Sequence, residues 1–359
     1  MMPTKKIAVA AAAAAFANIA LAWDRNPGGG ADAAASWGLG ARAESLGRAY
    51  GALADDAAAV YWNVAGLAAL DATEISFAYG APFAEIGGVT LGDAVVAKPL
   101  LYSMGEEVGG AGSLGTLAAA VAYRRAGDIY EANDKGLTGR TFADTDVELY
   151  VGYAHSLGRA GALGLALKNV TREVADYDDS GFGLDLGATY KPWNDLNLGA
   201  VARNVVAPNF QLKSLKNAPP LTFELGASYN LFNVVSPVAS IEVTREAFYD
   251  AGAGVEFTPV KYVALRGGYY TGDERPRTGV GFYINTFRFD YCMRIGGPLG
   301  DSHLASVSFL FAGGPPPPDV VIPEEEGYIE FEPEEEPAPQ EENAPPDEEG
   351  ESEAGVPGL

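Results

Sequence analysis

An alternation of apolar residues with small or charged ones runs through most of the chain between Thr73 and Ala312, and this pattern constrains the fold most strongly. From Phe182 to Lys191, for example, Phe, Leu, Leu, Ala and Tyr alternate with Gly, Asp, Gly, Thr and Lys. Neighbouring side chains of a β-strand point to opposite faces. The pattern therefore predicts an all-β fold whose strands have one apolar and one polar face.

Two all-β architectures have such strands. In a soluble sandwich the apolar face packs inward, whereas in a transmembrane barrel it meets lipid and the polar face lines the lumen. Three observations favour the barrel. The segments are about ten residues long, which suffices to cross a bilayer at a tilt, and there are about fourteen, an even number. The last segment alternates and ends on aromatic residues, Phe309 and Phe311. We therefore expect an antiparallel transmembrane β-barrel of about fourteen strands over residues 73–312.

The connections between the predicted strands mostly alternate in length. Long loops are expected at Ala126–Asp144, Glu173–Asp179 and Ala207–Lys216, and short turns at Gly158–Arg159, Pro192–Asn194 and Pro259–Lys261. In outer-membrane barrels the long loops are extracellular and the short turns periplasmic. This parity predicts a bacterial outer-membrane protein with periplasmic N- and C-termini.

The residues before the barrel divide into two segments. Met1–Ala22 has two lysines, an apolar run and Ala-Leu-Ala before Trp23, which predicts a secretory signal peptide. Residues 23–72 are Ala-rich and lack alternation, and within them Glu44–Ala54 is predicted to be a short helix. We expect residues 23–72 to form a plug segment inside the barrel.

Residues 313–359 form a Pro/Glu-rich acidic tail, which we expect to be disordered because its composition cannot bury a core. The segment from Pro315 onward carries −16 of the net charge of −24, which leaves −8 for the rest of the chain. A barrel domain without clustered basic residues argues against nucleic acid as a partner. The tail is either a passive solvated segment or a periplasmic spacer that binds a partner.

Several short motifs resemble the PorV/PorQ family of outer-membrane barrels, within the wider FadL-like group. They are Gly40-Ala41-Arg42, Ala54-Asp55-Asp56-Ala57, Tyr61-Trp62-Asn63-Val64-Ala65-Gly66-Leu67 and Ala264-Leu265-Arg266-Gly267-Gly268-Tyr269. Val64 departs from the family pattern, which has Pro at that position. The resemblance covers roughly residues 38–312 and implies a fourteen-stranded barrel with the N-terminal segment in the lumen, no enzyme activity and no cofactor.

The resemblance leaves two functions open. The leading hypothesis is passive transport of a hydrophobic small molecule, as in FadL, by rearrangement of the plug. The alternative is a non-transporting barrel that docks proteins during secretion or envelope assembly, as PorV does in type IX secretion. The expected partners are outer-membrane lipid, a hydrophobic ligand and, for the alternative, a secreted or periplasmic protein. A lipid-modifying enzyme is disfavoured because the chain has only two histidines.

Two groups of residues are candidates for the functional site. Asp55, Asp56, Trp62 and Asn63 either gate the lumen or simply cap and anchor the plug through hydrogen bonds and packing. A lumen charge cluster either forms a polar pathway or consists of ion pairs that fill the lumen. Its members are Glu224, Glu242, Glu256, Arg266, Arg288 and Asp290. No metal site is expected, since one Cys and two distant His lack ligand spacing.

Overall fold

The computed structural model describes residues 37–83, 87–103, 111–158, 160–212, 215–244, 249–297 and 300–311. The predicted signal peptide (1–22), the start of the predicted plug segment (23–36) and the acidic tail (313–359) lie outside these ranges. Among the described residues, no helix has the length and apolar character needed to cross a membrane.

Fourteen antiparallel strands close into a barrel in which β1 pairs with β16, so the predicted fold class is confirmed. Two further short strands, β8 and β9, pair with each other in the connection between β7 and β10. The strands are β1 (Thr73–Ala81), β2 (Val89–Ser103), β3 (Ala111–Asn133), β4 (Gly136–Ser156), β5 (Gly161–Val174), β6 (Tyr177–Trp193), β7 (Leu196–Val206), β8 (Phe210–Leu212), β9 (Leu215–Asn217), β10 (Thr222–Tyr229), β11 (Val235–Thr244), β12 (Tyr249–Val260), β13 (Val263–Tyr270), β14 (Arg275–Ile284), β15 (Phe287–Arg294) and β16 (Ser302–Phe311).

The apolar face of the strands points outward. On β6, Phe182 is 77% exposed and Leu186 is 42% exposed, whereas Asp185 between them is buried in the lumen. Exposed aromatic residues lie near both ends of the barrel, with Trp193 at one end and Tyr79 at the other. An apolar outer belt flanked by aromatic residues is typical of a barrel that spans a bilayer. We call the end where β1 begins and β16 ends the terminal end, and the opposite end the distal end.

Two predicted loops at the distal end are instead continuations of strands. The prediction of a long loop at Ala126–Asp144 is wrong, because β3 runs on to Asn133 and β4 begins at Gly136. Glu173–Asp179 is likewise a tight hairpin, with β5 ending at Val174 and β6 beginning at Tyr177. Beyond a bilayer both faces of a strand meet water, so the apolar alternation disappears although the hydrogen-bonded ladder continues.

Residues Trp37–Ala72, which we call the plug, lie inside the lumen and pack against its wall. The plug contains helix α1 (Ala41–Ser45), helix α2 (Ala59–Trp62) and a 3-10 helix (Val64–Ala69). The predicted helix over Glu44–Ala54 is wrong. Helix α1 ends at Ser45 because Gly47 and Arg48 adopt left-handed backbone angles, with φ of 67° and 62°.

The wall of the barrel is irregular between β6 and β7. Leu184 pairs with Val206, yet two residues further along β6 Leu186 pairs with Ala202, so β7 bulges. Asn204 in this bulge has a φ of 59°, and its backbone N–H donates to Asp185 Oδ1 at 2.7 Å. After β7 the chain turns inward and buries Pro208. The bulge and Pro208 shape the distal part of the lumen.

Candidate functional site

A belt of glycines on the inner wall seats the plug. A Cβ atom added at any of these glycines would lie within 3.0 Å of a plug atom. Backbone or side-chain atoms of the plug therefore approach the wall more closely than any side chain on the strand would allow. The glycine belt comprises Gly152 (β4), Gly164 (β5), Gly187 (β6), Gly199 (β7), Gly252 and Gly254 (β12), Gly268 (β13) and Gly279 (β14).

Arg42 on α1 joins the plug to the wall through buried charges. Its Nε lies 3.0 Å from Glu256 Oε2, and its Nη1 lies 2.5 Å from Asp55 Oδ1. Glu256 also accepts from Arg266 Nε at 2.6 Å, and Arg266 Nη1 lies 2.7 Å from Asp290 Oδ1. The plug thus supplies one cation to a chain of alternating charges that runs across β12, β13 and β15.

Glu44, also on α1, is fully buried and holds a second group of charges. Its Oε2 lies 2.7 Å from Arg294 Nη2 and 3.5 Å from Arg277 Nε, and both arginines also approach Asp273. Burial alone would raise the pKa of Glu44, but Arg294, Arg277 and Arg48 outweigh it and lower the pKa to about 2. Glu44 is therefore ionised and anchors α1 to β14 and β15.

The predicted plug residues lie at different depths. Asp55 is exposed and pairs with Arg42, whereas Asp56 accepts from the hydroxyl of Tyr50 at 2.7 Å. Burial raises the pKa of Asp56, and the charge of Arg42 opposes this shift. Trp62 is buried inside the plug, where its Nε1 donates to Leu39 O at 2.8 Å. Trp62 therefore braces the plug internally.

Asn63 contacts both the plug and the wall. Its Nδ2 donates to Gly51 O at 2.6 Å and to Ala188 O of β6 at 3.1 Å. Its Oδ1 accepts from the backbone N–H of Ala65 at 3.2 Å, which caps the 3-10 helix. Asn63 is fully buried against Gly187 of the glycine belt.

The predicted lumen charges all lie on the inner face but form three separate groups. Glu256, Arg266 and Asp290 belong to the Arg42 chain described above. Glu224 and Glu242 face each other across β10 and β11, and Arg203 of β7 lies 2.8 Å and 3.7 Å from them. Arg288 approaches Glu74 of β1 at 3.8 Å. Most of these charged side chains therefore form ion pairs with the plug or with one another.

Two cavities lie on opposite sides of the plug. The distal cavity has a volume of about 400 Å³, and Tyr61, Tyr150, Lys168, Arg203 and Asn204 are among its lining residues. A second cavity of about 180 Å³ lies toward the terminal end, between the plug and Ser156, Ala162, Thr189 and Asn197. We call it the terminal cavity.

Strands β4, β5 and β7 line both cavities, and the glycine belt lies between them. On β7, for example, Arg203 lines the distal cavity, Asn197 lines the terminal cavity, and Gly199 between them contacts Gly51 of the plug. On β6 the intermediate position is Gly187, which faces Asn63. The plug residues Gly51 and Asn63–Ala65 therefore separate the two cavities.

Solved bacterial channel structures resemble this plugged barrel. The toluene transporters TbuX of Ralstonia pickettii and TodX of Pseudomonas putida match with TM-scores of 0.57 and 0.55, each at 13% sequence identity. A Pseudomonas aeruginosa FadL homologue matches with a TM-score of 0.53 at 9% identity. Each match covers 76% of this chain and 98% of the other. The chain has the FadL-type barrel fold.

No protein-family model and no curated protein matches the chain. The resemblance to the FadL-type barrel is therefore carried by the fold, and none of these comparisons supports the narrower PorV/PorQ assignment. In the described ranges, no grouping of His, Cys, Asp and Glu could hold a metal ion.

The sequence analysis did not identify the plug residues that form ion pairs with the charged side chains of the lumen wall. Arg42 and Glu44 lie in a helix of only five residues, and nothing local in the sequence indicates that they face charges more than 200 residues away. The glycine belt left a clearer signal. Gly183, Asp185 and Gly187 alternate with apolar residues on β6, so inward positions without side chains could have been predicted to face a tightly packed plug.

Proposed function

We propose that this protein is a passive channel of the bacterial outer membrane for a hydrophobic small molecule, with both chain termini in the periplasm. The observation that carries the proposal is the pair of cavities along β4, β5 and β7, which one plug segment separates. A molecule that crosses the barrel would then occupy the distal cavity and the terminal cavity one after the other. The toluene transporters have similar folds, which supports a hydrophobic small molecule as the cargo of this protein.

Passage requires the plug to move at the glycine belt. The backbone around Asn63 and Val64 lies against Gly164 and Gly187 with no room for a side chain, so no ligand fits between them. A ligand in the distal cavity would pass once the segment from Gly51 to Ala65 shifts away from the wall. Glu44 and Arg42 hold α1 on the other side of the lumen, so only part of the plug has to move.

The hydrogen bonds of Asn63 make it the gate residue in this proposal. Asn63→Ala removes the bonds to Gly51 O and Ala188 O, each of which contributes about 0.5–1.5 kcal/mol. If plug movement limits uptake, the variant is expected to raise the initial rate roughly tenfold. The measurement is uptake of radiolabelled toluene by whole cells of a Gram-negative host that lacks its own hydrocarbon channel.

Asn133→Ala is the matched control for this gate. Asn133 lies at the exposed tip of the β3–β4 hairpin, and its Oδ1 accepts from the backbone N–H of Lys135 at 2.9 Å, as Asn63 does from Ala65. This variant is expected to take up toluene at the wild-type rate. Uptake no faster than in empty-vector cells, for both the wild type and Asn63→Ala, would reject the channel proposal.

A docking scaffold remains the second candidate, because one observation favours it. The lumen is closed at the glycine belt, and in the described residues the ladder of the β3–β4 hairpin with β2 ends at Ala126 and that with β5 ends at Asp144. Such a hairpin, which is extracellular when both termini are periplasmic, offers exposed strand edges to a secreted protein, as in the PorV/PorQ resemblance. Barrels without toluene uptake that retain a stoichiometric protein after gentle extraction would favour the scaffold.

A further inference from the structure

Three buried polar atoms of the distal cavity lack a hydrogen bond within the described part of the chain. They are Oδ1 of Asn204, Nε of Arg203 and Oγ1 of Thr244. Polar atoms that are buried in proteins normally have a partner. These atoms therefore mark the places where a bound molecule would make hydrogen bonds.

The three side chains lie along one level of the wall. Arg203 of β7 pairs with Thr222 of β10, which in turn pairs with Thr244 of β11. Neighbouring strands are about 4.8 Å apart, so the row is about 10 Å long. Asn204 follows Arg203 directly, and its left-handed φ of 59° is what brings both neighbours to the cavity.

The side-chain amide of Asn204 has its nitrogen engaged in a hydrogen bond, so only its oxygen, Oδ1, is available to a bound molecule. Its Nδ2 donates to Pro220 O at 2.9 Å, and its backbone N–H donates to Asp185 Oδ1. The side chain is therefore fixed in orientation, with Oδ1 left to accept a bond. A molecule at this position must carry a hydrogen-bond donor.

Aromatic and apolar groups form the rest of the lining. The rings of Tyr61, Tyr150 and Tyr270 and the side chain of Pro208 line the same cavity. Its volume of about 400 Å³ lies in the usual range for small-molecule sites. A flat apolar ring would pack against these groups while a polar substituent reaches Asn204.

The hydrogen-bonding groups of the cavity, and not its net charge, disfavour an anionic substituent. Lys168 is paired with Asp185 and Arg203 with Glu224. The lining charges are balanced, since it contains the cations Arg48, Lys168, Arg203 and Arg294 and the acids Glu148, Glu242, Asp250 and Asp273. A carboxylate has no donor for Asn204, whereas a pure hydrocarbon would leave all three polar atoms unsatisfied.

We propose that the distal cavity binds small phenols, in which an apolar ring packs against the tyrosines and one hydroxyl group both donates to Asn204 Oδ1 and accepts from the Arg203–Thr244 row. This proposal specifies the cargo class of the proposed channel and rests on that function for its physiological meaning. The binding site itself can be tested without transport.

The test compares three probes that differ in one substituent: p-cresol, toluene and p-toluate. Binding is measured by ligand-detected NMR on the full chain in lipid nanodiscs, with empty nanodiscs as the blank for partitioning. We expect p-cresol to bind at least about threefold more tightly than toluene or p-toluate, since one added hydrogen bond is worth roughly twofold to tenfold. Equal binding of p-cresol and toluene would overturn the proposal, and so would preferred binding of p-toluate.

Two variants connect the binding to the named atoms. Asn204→Gly suits the left-handed φ and removes Oδ1, and Thr244→Val removes the hydroxyl at nearly constant shape. Each is expected to weaken p-cresol binding about threefold or more and leave toluene binding unchanged. Thr258→Val is the control, because Thr258 bonds to Val234 O at the terminal end. Unchanged p-cresol binding in both cavity variants would refute the assignment.

The outcomes separate this site from the channel proposal. Binding of p-cresol that depends on Asn204, together with no uptake of either p-cresol or toluene in cells, would leave the site intact and reject transport. Toluene uptake together with equal binding of all three probes would support the channel and overturn the site.

Discussion

Gly268→Val is expected to unseat the plug, whereas Gly267→Val on the same strand is expected to leave it in place. A Cβ at Gly268 would meet Gly47 N, Leu46 C and Ser45 O within 3.0 Å, and all three are backbone atoms of the plug. A Cβ at Gly267 would meet nothing within 4 Å, because this residue faces outward. The two variants therefore differ in plug contact but not in strand or in residue type.

The expected size of the effect follows from the kind of atoms that clash. Overpacking of a core costs about 1–3 kcal/mol when side chains can adjust. At Gly268 the neighbours are backbone atoms next to the left-handed residues Gly47 and Arg48, which adjust poorly. We expect the population with a displaced plug to rise by about tenfold to a hundredfold.

Two measurements report on plug displacement in a folded barrel. Trypsin is expected to cleave Gly268→Val at Arg42 or Arg48, whose side chains are only partly exposed inside the lumen of the wild type. Planar bilayers with this variant are expected to conduct ions through the opened lumen. Heat-modifiable gel mobility identifies barrels that are still folded. Equal cleavage and conductance in the two variants would mean that the glycine belt does not seat the plug.

The alternation of side chains made the barrel predictable, since it is a local signal that repeats in every membrane-crossing strand. The same signal failed at Ala126–Asp144, where β3 and β4 extend beyond the apolar belt and apolar residues no longer alternate regularly with polar ones. Sequence pattern therefore reports the part of a strand that meets lipid, and it underestimates the length of strands that continue beyond the membrane.

The candidate site was only partly predictable, because its contacts join distant parts of the chain. Glu256 and Arg266 could be placed on the inner face from alternation alone. Their third partner, Arg42, comes from the plug, and its position depends on the packing of α1 against the wall. Asn204 was not identified, since adjacent strand residues normally face opposite ways and only the bulge in β7 brings it to the cavity.

Glu44→Gln is expected to release α1 from the wall, while Asp55→Asn has little effect. Both acids lie in the plug and contact an arginine, but Glu44 is fully buried and the side chain of Asp55 is 45% exposed. Removing one partner of a buried ion pair costs about 3–5 kcal/mol, because it leaves the other charge uncompensated. An exposed pair contributes about 0–1 kcal/mol.

The charges left behind make the loss at Glu44 severe. Arg277 and Arg294 are both buried, and both approach Asp273 as well as Glu44, so loss of Glu44 removes one of the two acids that they share. Trypsin cleavage at Arg42 or Arg48 is expected to become at least about a hundredfold faster in Glu44→Gln and to change less than about fivefold in Asp55→Asn. Similar cleavage of the two variants would contradict the anchoring role of Glu44.

The same anchor predicts how acid acts on the wild type. The pKa of Glu44 is about 2 when α1 is docked and returns toward its usual value near 4.5 when α1 is released. Docking is therefore fully stabilised above pH 4.5, and this contribution of about 3 kcal/mol disappears as the pH falls toward 2. Ion conductance of the wild type is expected to rise over that interval.

Conductance of Glu44→Gln, which has no carboxyl group to protonate here, is expected to be high already at neutral pH and to rise much less. A rise of equal size in both proteins would assign the acid response to another carboxylate.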